Sequence, residues 1–180
     1  MMVFLDRDGT INVERHHLAS VEGMELLPGA ADGIRLLNQL GCSVVVISNQ
    51  PVVARGGCSP EMLDAINRRM VELLASEGAA LDAIYACPHS PEDGCSCRKP
   101  KTGLIEKGRR AFEAELARSF VVGDKCSDIR AGIASGATTF LVRTGHGLDT
   151  ERAGECEPDY IVDDLRDAAE RIYGIIQRNP

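Results

Sequence analysis

The 180-residue sequence predicts an α/β domain: a doubly wound, mostly parallel sheet with helices on both faces. Three observations carry that reading. Short apolar runs rich in β-branched residues alternate with segments whose apolar residues recur at helical spacing. The first run ends in two carboxylates, Asp6 and Asp8, as parallel strands that feed an active crevice do. No internal repeat or low-complexity linker breaks the alternation, so residues 1–180 read as one domain of a length that buries a sizeable core.

The elements follow in order. Val3–Leu5 is a buried strand. Gly29–Leu40 carries Ala30, Ile34, Leu37 and Leu40 at helical spacing, and Gly41 stops it. Val44–Ile47 is a β-branched strand. Ser59 and Pro60 supply a helix cap and a proline at the first helical position, Met62, Ile66, Met70, Leu73 and Leu74 form its apolar stripe, and Gly78 closes it. Ala83–Ala86 is a shorter strand. Thr102 caps a helix running to about Leu116, Phe120–Val122 is a strand, and Ser127–Ala134 a short helix ending near Gly136. Strands at 139–142 and 160–162 and a helix over 164–176 complete the set. The least regular stretches, 14–28 and 88–101, are long enough to expect function in them.

Composition narrows the chemistry. A formal net charge of −7 argues against a broad nucleic-acid footprint, and the absence of Trp against a base-stacking surface. No apolar run reaches membrane-spanning length, and the first residues enter a strand without a basic and apolar leader, so the expectation is a cytoplasmic protein with no membrane partner. Seven cysteines, an odd number, argue against a disulfide framework. Cys42, Cys58, Cys126 and Cys156 then read as core or surface thiols.

Asp6-Arg7-Asp8-Gly9-Thr10 places two acids where their crowding calls for a cation, and oxygen ligands favour Mg²⁺. Other strand ends should hold their partners. Ser48-Asn49-Gln50 offers a hydroxyl, amides and turn N–H groups suited to phosphate oxygens, although Ser-Asn is equally an ordinary helix cap. Gly123-Asp124-Lys125, with Asp128 a turn later, can supply a further carboxylate. Cys87, His89, Cys95 and Cys97 present three thiolates and an imidazole, the ligands of a closed, structural tetrahedral Zn²⁺ site within loop 87–97. Arg98 and Lys99 follow directly, so ordering the loop fixes them; a fixed Lys can neutralise a carboxylate and a fixed Arg can fork onto phosphate. Arg55 is a further basic candidate. His16 and His17 lie in the first long loop as possible substrate contacts, and with His146 they show no metal-ligand spacing.

Taken together, Asp6-Arg-Asp8-Gly-Thr, Ser48, Lys99 and Gly123-Asp124 resemble the haloacid dehalogenase-type phosphatases, a Rossmann-like family. Asn-Gln at 49–50, Ala54-Arg55-Gly56, the Cys–His loop, Cys97-Arg-Lys-Pro and Gly123-Asp-Lys are similar to its heptose bisphosphatase branch, with histidinol phosphatases as near relatives. The resemblance implies that Asp6 is the nucleophile, Asp8 the acid and base, and Ser48 and Lys99 the phosphoryl binders. It implies Mg²⁺ held by Asp6, the Asp8 carbonyl and Asp124. It also implies substrate contacts from Asn49, Gln50, Arg55, Arg98, Lys125, His16 and His17, and a small phosphorylated sugar as substrate. Neither the gap from Asp8 to Ser48 nor that from Ser48 to Lys99 has room for a cap domain, and a monomer is expected. Pro51-Val52 and Glu14–His17 depart from the family pattern where sugar selectivity would reside. Histidinol phosphate or another small sugar phosphate remains an alternative substrate, and a non-enzymatic zinc module an alternative class, which the full set of acids disfavours.

Overall fold

Six strands, β1 (Met2–Leu5), β2 (Ser43–Asn49), β3 (Ala83–Cys87), β4 (Phe120–Gly123), β5 (Thr138–Val142) and β6 (Tyr160–Val162), form one parallel sheet in the order β3-β2-β1-β4-β5-β6. The computed structural model describes residues 1–16 and 18–178. Alternation along β1 divides the interior. Val3 and Leu5 join Val44, Val46, Phe120 and Val122 in one core, and Met2 and Phe4 join Val45, Ile47 and Val121 in the other. Helices α1 (Ala30–Gln39), α2 (Pro60–Ser76) and α6 (Leu165–Arg178) cover the first face; α3 (Gly103–Ala111) and α4 (Cys126–Ser135) cover the second. A sheet buried on both faces explains why its strands read as unbroken apolar runs.

β1 lies between β2 and β4, with Leu5 opposite Val46 on one side and Val122 on the other. The chain leaves β1 toward β2 and β3, then returns to place β4 on the other flank. This reversal opens a crevice beyond the carboxyl ends of β1 and β4, where the two strands deliver Asp6 and Asp124. The connection after β1 holds a 3₁₀ turn (Val21–Gly23) and α1, and among the described residues no extra domain lies over the crevice. Residues 13–25 are fastened at their base: Val13 N–H donates to Glu25 O (2.9 Å) and Leu27 N–H to Ile11 O (2.9 Å), while Leu18 and Met24 are buried in the core.

The expected elements are present, with some corrections. The Ser59 side chain caps α2 by accepting from Met62 N–H at 3.1 Å. Thr102 makes no side-chain cap, and α3 stops at Ala111 rather than near Leu116, because the chain turns through a positive φ at Glu113 before a 3₁₀ turn at Leu116–Arg118. A short helix α5 (Gly147–Ala153), too brief to show an apolar stripe, follows β5. The expectation of free thiols fails at two positions. Cys126, at the start of α4, is disulfide-bonded to Cys156 with Cα atoms 5.6 Å apart, because the sheet order brings the loop after α5 beside the end of β4. Cys42 and Cys58 are buried free thiols as expected. Among the described residues, no helix is long and apolar enough to cross a membrane.

Candidate active site

Asp6 is the first residue beyond β1, tied to the sheet by its N–H to Val122 O (2.9 Å). Its Oδ1 accepts a hydrogen bond from Lys99 Nζ at 2.7 Å. The same ammonium meets Asp128 Oδ1 at 2.7 Å and donates to Ile47 O at 2.5 Å, and the Lys99 side chain is almost wholly buried. Burial raises the Asp6 carboxyl and Lys99 opposes it, leaving a pKa raised to about 6. Burial pulls the Lys99 ammonium down, but Asp128 and Asp6 overcome it and hold it charged.

Asp8 faces a different set of partners. Arg7 Nη2 donates to Oδ2 (2.9 Å) and Oδ1 (3.1 Å) and Arg7 Nε to Oδ1 (3.2 Å); Asn12 Nδ2 and Gln50 Nε2 add bonds of 2.9 and 2.7 Å. Burial works to raise this carboxyl, yet Arg7, with the hydrogen bonds from Asn12 and Gln50, holds it below its ordinary value. Arg7 is itself buried and anchored by Nη1 to Asn67 Oδ1 of α2 at 3.0 Å. The two acids of one turn therefore differ in electrostatics. Asp6 sits in a crowded anionic cluster, and Asp8 is a firmly held carboxylate with both oxygens accepting hydrogen bonds.

The third acid, Asp124, follows β4. Its Oδ2 accepts the His146 N–H (2.8 Å), while Oδ1 is buried and meets no hydrogen-bond donor among the described residues; Lys125 Nζ is 3.9 Å away. Burial and the neighbouring Asp6 raise its pKa to about 8. Gly9 (φ +87°) makes the crowding possible, since a Cβ there would stand 2.2 Å from Asp124 Oδ2. Carboxylate oxygens of Asp6, Asp124 and Asp128 lie within 4.8 Å of one another. All-oxygen donors, raised pKa values and an unpartnered buried oxygen fit a hard divalent cation such as Mg²⁺.

The Cys–His loop begins at the end of β3. Sulfur atoms of Cys87, Cys95 and Cys97 stand 3.1–3.6 Å apart, and His89 Nδ1 is 3.3 Å from Cys97 Sγ and 3.6 Å from Cys87 Sγ. Three thiols and an imidazole converging this closely fit a tetrahedral Zn²⁺. Burial pushes the Cys87 thiol up to about 12, and a bound cation would favour the thiolate against that desolvation. Lys99 is held from the sheet side as well. Asn49 Nδ2 donates to Lys99 O and Lys99 N–H to Asn49 Oδ1, each at 3.0 Å.

A cavity of about 240 Å³ opens over these groups, walled by Asp6, Asp8, Ser48, Lys99, Arg98 and Lys125 among others. Pro51, Val52, Leu18 and His16 give it a mixed wall. Of the expected contacts, Asn49, Gln50, Arg98, Lys125 and His16 line the cavity. Gln50 is buried with its amide committed to Asp8 and to Ser48 Oγ (2.7 Å), so it holds the acid in place. Asn49 pins the Lys99 backbone. Arg55 is exposed on the turn after β2 and does not line the cavity, because residues 51–56 coil into successive turns. Arg98 lines the wall and reaches His89 O at 3.3 Å. Lys125 donates to Glu14 Oε2 at 2.8 Å, and His17 lies outside the described residues. Arg7, Asn12, Asn67 and Asp128 are the site residues that the motif reading passed over or left without a role. The alternation of Asp-Arg-Asp was the available signal for Arg7.

Comparison with known proteins bears on what this geometry is. A family model described as HAD-hydrolase-like matches residues 96–168. The D-glycero-β-D-manno-heptose-1,7-bisphosphate 7-phosphatase of Yersinia pestis is 34% identical over 178 residues, 94% of each chain. The chain belongs to this family of HAD-type phosphatases. The Pseudomonas putida member is 37% identical over 165 residues, 91% of this chain and 94% of that one. The crystal structure of the D,D-heptose 1,7-bisphosphate phosphatase from B. bronchiseptica, complexed with magnesium and phosphate, matches with a TM-score of 0.92 and 36% identity, covering 97% of this chain and 98% of that one. A HAD phosphatase hydrolyses phosphomonoesters with Mg²⁺, and the three-carboxylate cluster of this member has the donor chemistry for that ion.

Proposed function

We propose that this HAD phosphatase removes the 7-phosphate of D-glycero-β-D-manno-heptose 1,7-bisphosphate. The observation that supports the chemistry most directly is Asp6 at the crevice floor, gripped through Oδ1 by a buried Lys99 and flanked by Asp124 and Asp128. The observation that supports the sugar is near full-length identity of 34–37% to relatives named for it.

In this reading Asp6 attacks phosphorus, the sugar oxygen departs with a proton from Asp8, and an aspartyl-phosphate forms. Water, deprotonated by Asp8, then releases phosphate and frees Asp6. Asp8 rests as a carboxylate because of Arg7; an arriving phosphoryl dianion raises its proton affinity before the first step. Ser48 Oγ accepts the Gln50 N–H, which leaves its hydroxyl proton to donate to a phosphoryl oxygen. Lys99, held by Asn49 and the Cys–His loop, neutralises Asp6 and the transferring group with no reorganisation. A Mg²⁺ bound by Asp6, Asp124 and the Asp8 carbonyl would offset the negative charge that keeps phosphate out. Arg98 and Lys125, on the cavity wall, are placed to contact the rest of the substrate.

Phosphate release from both heptose bisphosphate anomers, histidinol phosphate and fructose 1,6-bisphosphate tests the reading, with Asp6→Asn as control. A Mg²⁺-dependent preference for the β-heptose substrate, abolished in Asp6→Asn, is expected. Release from histidinol phosphate alone would reject the sugar and keep the chemistry.

A further inference from the structure

Glu14, His16 and His146 offer one carboxylate oxygen and two imidazole nitrogens within 4.8 Å of one another. The group belongs neither to the Cys–His cluster nor to the three buried carboxylates. Its members come from two loops distant in sequence. Glu14 and His16 lie on the turn after β1, where the His16 N–H donates to Glu14 Oε1 at 2.7 Å and His16 takes a positive φ of 60°. His146 lies just past β5 and sets its Nε2 3.5 Å from Glu14 Oε2, with the two imidazole rings 5.8 Å apart. The two loops are already joined beneath: Thr144 Oγ1 donates to Gly9 O at 2.6 Å, and the His146 N–H to Asp124 Oδ2. The His146 backbone is thus tied to Asp124 and, through Thr144, to the turn after β1.

We propose that these three residues form a further metal site at the cavity mouth, for a divalent transition ion of the Zn²⁺ or Co²⁺ class. Two imidazoles and one carboxylate suit such borderline ions and do not suit Mg²⁺. The set carries a net charge of −1 with neutral imidazoles, and three protein ligands leave a coordination position open to water. Lys125 sets the strength of the site. Its ammonium holds Glu14 Oε2 at 2.8 Å, so an incoming ion must displace it. That competition makes the site weaker than the thiolate cluster, and occupancy releases Lys125 toward the cavity that it lines with His16. An ion here would also bridge the loop after β1 to the loop after β5 across the rim.

The test is titration with Co²⁺ and, separately, Zn²⁺ of the protein with its Cys–His cluster already filled and millimolar Mg²⁺ present. Calorimetry gives the stoichiometry, and the Co²⁺ spectrum gives the ligand type. One additional ion per chain is expected, with weak ligand-field bands and no thiolate charge-transfer band. His16→Ala and His146→Ala should each weaken that uptake at least about tenfold, the least that losing a direct ligand should cost. His16 is exposed, so its truncation removes no core packing, and a cooperative melt of each variant checks that it folds. No additional ion in the wild type, or equal uptake by the wild type and both variants, overturns the proposal.

Discussion

Arg7 closes on the neighbouring Asp8 through Nε and Nη2, at 2.9–3.2 Å, from a side chain that is almost fully buried. An arginine between two acids could have pointed to solvent. Here Asn67 on α2 turns it inward and the guanidinium fixes both the direction and the charge of Asp8. Arg7→Met should therefore lower kcat roughly 10- to 100-fold, a part of what a positioned acid–base group contributes. With its cation gone, Asp8 keeps a proton to higher pH, so the pH–rate profile should move in the alkaline direction. Asn67→Ala should move it the same way by less.

Lys99 links Asp6 and Asp128, and all three side chains are buried. Removing one partner of such a group leaves charge without compensation. Asp128→Ala should cost on the order of 3 kcal/mol in urea unfolding and loosen Lys99, with kcat falling more than KM rises. If the variant unfolds like the wild type, the ion pair is not a structural support.

The raised carboxyls of Asp6 and Asp124 make stability depend on pH in a particular direction. Both bind protons more tightly in the folded than in the unfolded chain. Their contribution to metal-free stability is fully present below the ordinary carboxylate pKa and is lost as pH rises from about 4 through 6 and on toward 8. Thermal melts of the Mg²⁺-free protein should fall across that window. Saturating Mg²⁺ at pH 8 should restore stability by about 2.7 kcal/mol at a hundredfold excess over Kd. A melting temperature indifferent to Mg²⁺ at pH 8 would remove the cation from this cluster.

Lys99 is anchored twice, by the Cys–His loop that ends two residues before it at Cys97 and by the paired Asn49 amide. Cys97→Ser should raise amide hydrogen exchange across residues 88–101 and lower kcat. Adding Asn49→Ala should then cost more than the sum of the two single changes, a coupling that a double-mutant cycle measures.

The Cys126–Cys156 bond closes a loop of 30 residues. Cys126→Ser, or reduction by a dithiol, should lower stability by about 3–4 kcal/mol on the loop-entropy account. For a chain of this size that is roughly a 10 °C fall in melting temperature.

The sheet was legible because each strand is buried on both faces and so reads as an apolar run. Asp6, Asp8, Ser48 and Asp124 were legible because a parallel sheet collects its strand ends on one side. The Cys–His loop announces itself by ligand spacing. What escaped depends on pairs distant in the chain. Arg7 takes its orientation from Asn67 on another element, and Glu14 meets His146 only once β5 lies beside β4. Parity misled at the cysteines: three go to the metal cluster, two pair, and two stay free in the core. Gln50 and Asn49 were recognised as site residues, but sequence does not tell a side chain that faces substrate from one that holds its neighbour.

The position of β1 in the sheet has a consequence for how the protein is made. β1 pairs with β2 soon after it in the chain, but its other edge waits for β4, since Val3 lies opposite Phe120. Asp6 can meet Asp124 and Asp128 only after that late pairing. A nascent chain still short of residue 124 therefore carries Asp6 beside an unfilled strand edge, with Lys99 already made but the other two acids of the cluster missing. Catalytic competence arrives with the last central strand, so a chain stalled before β4 is exposed to aggregation rather than to premature chemistry.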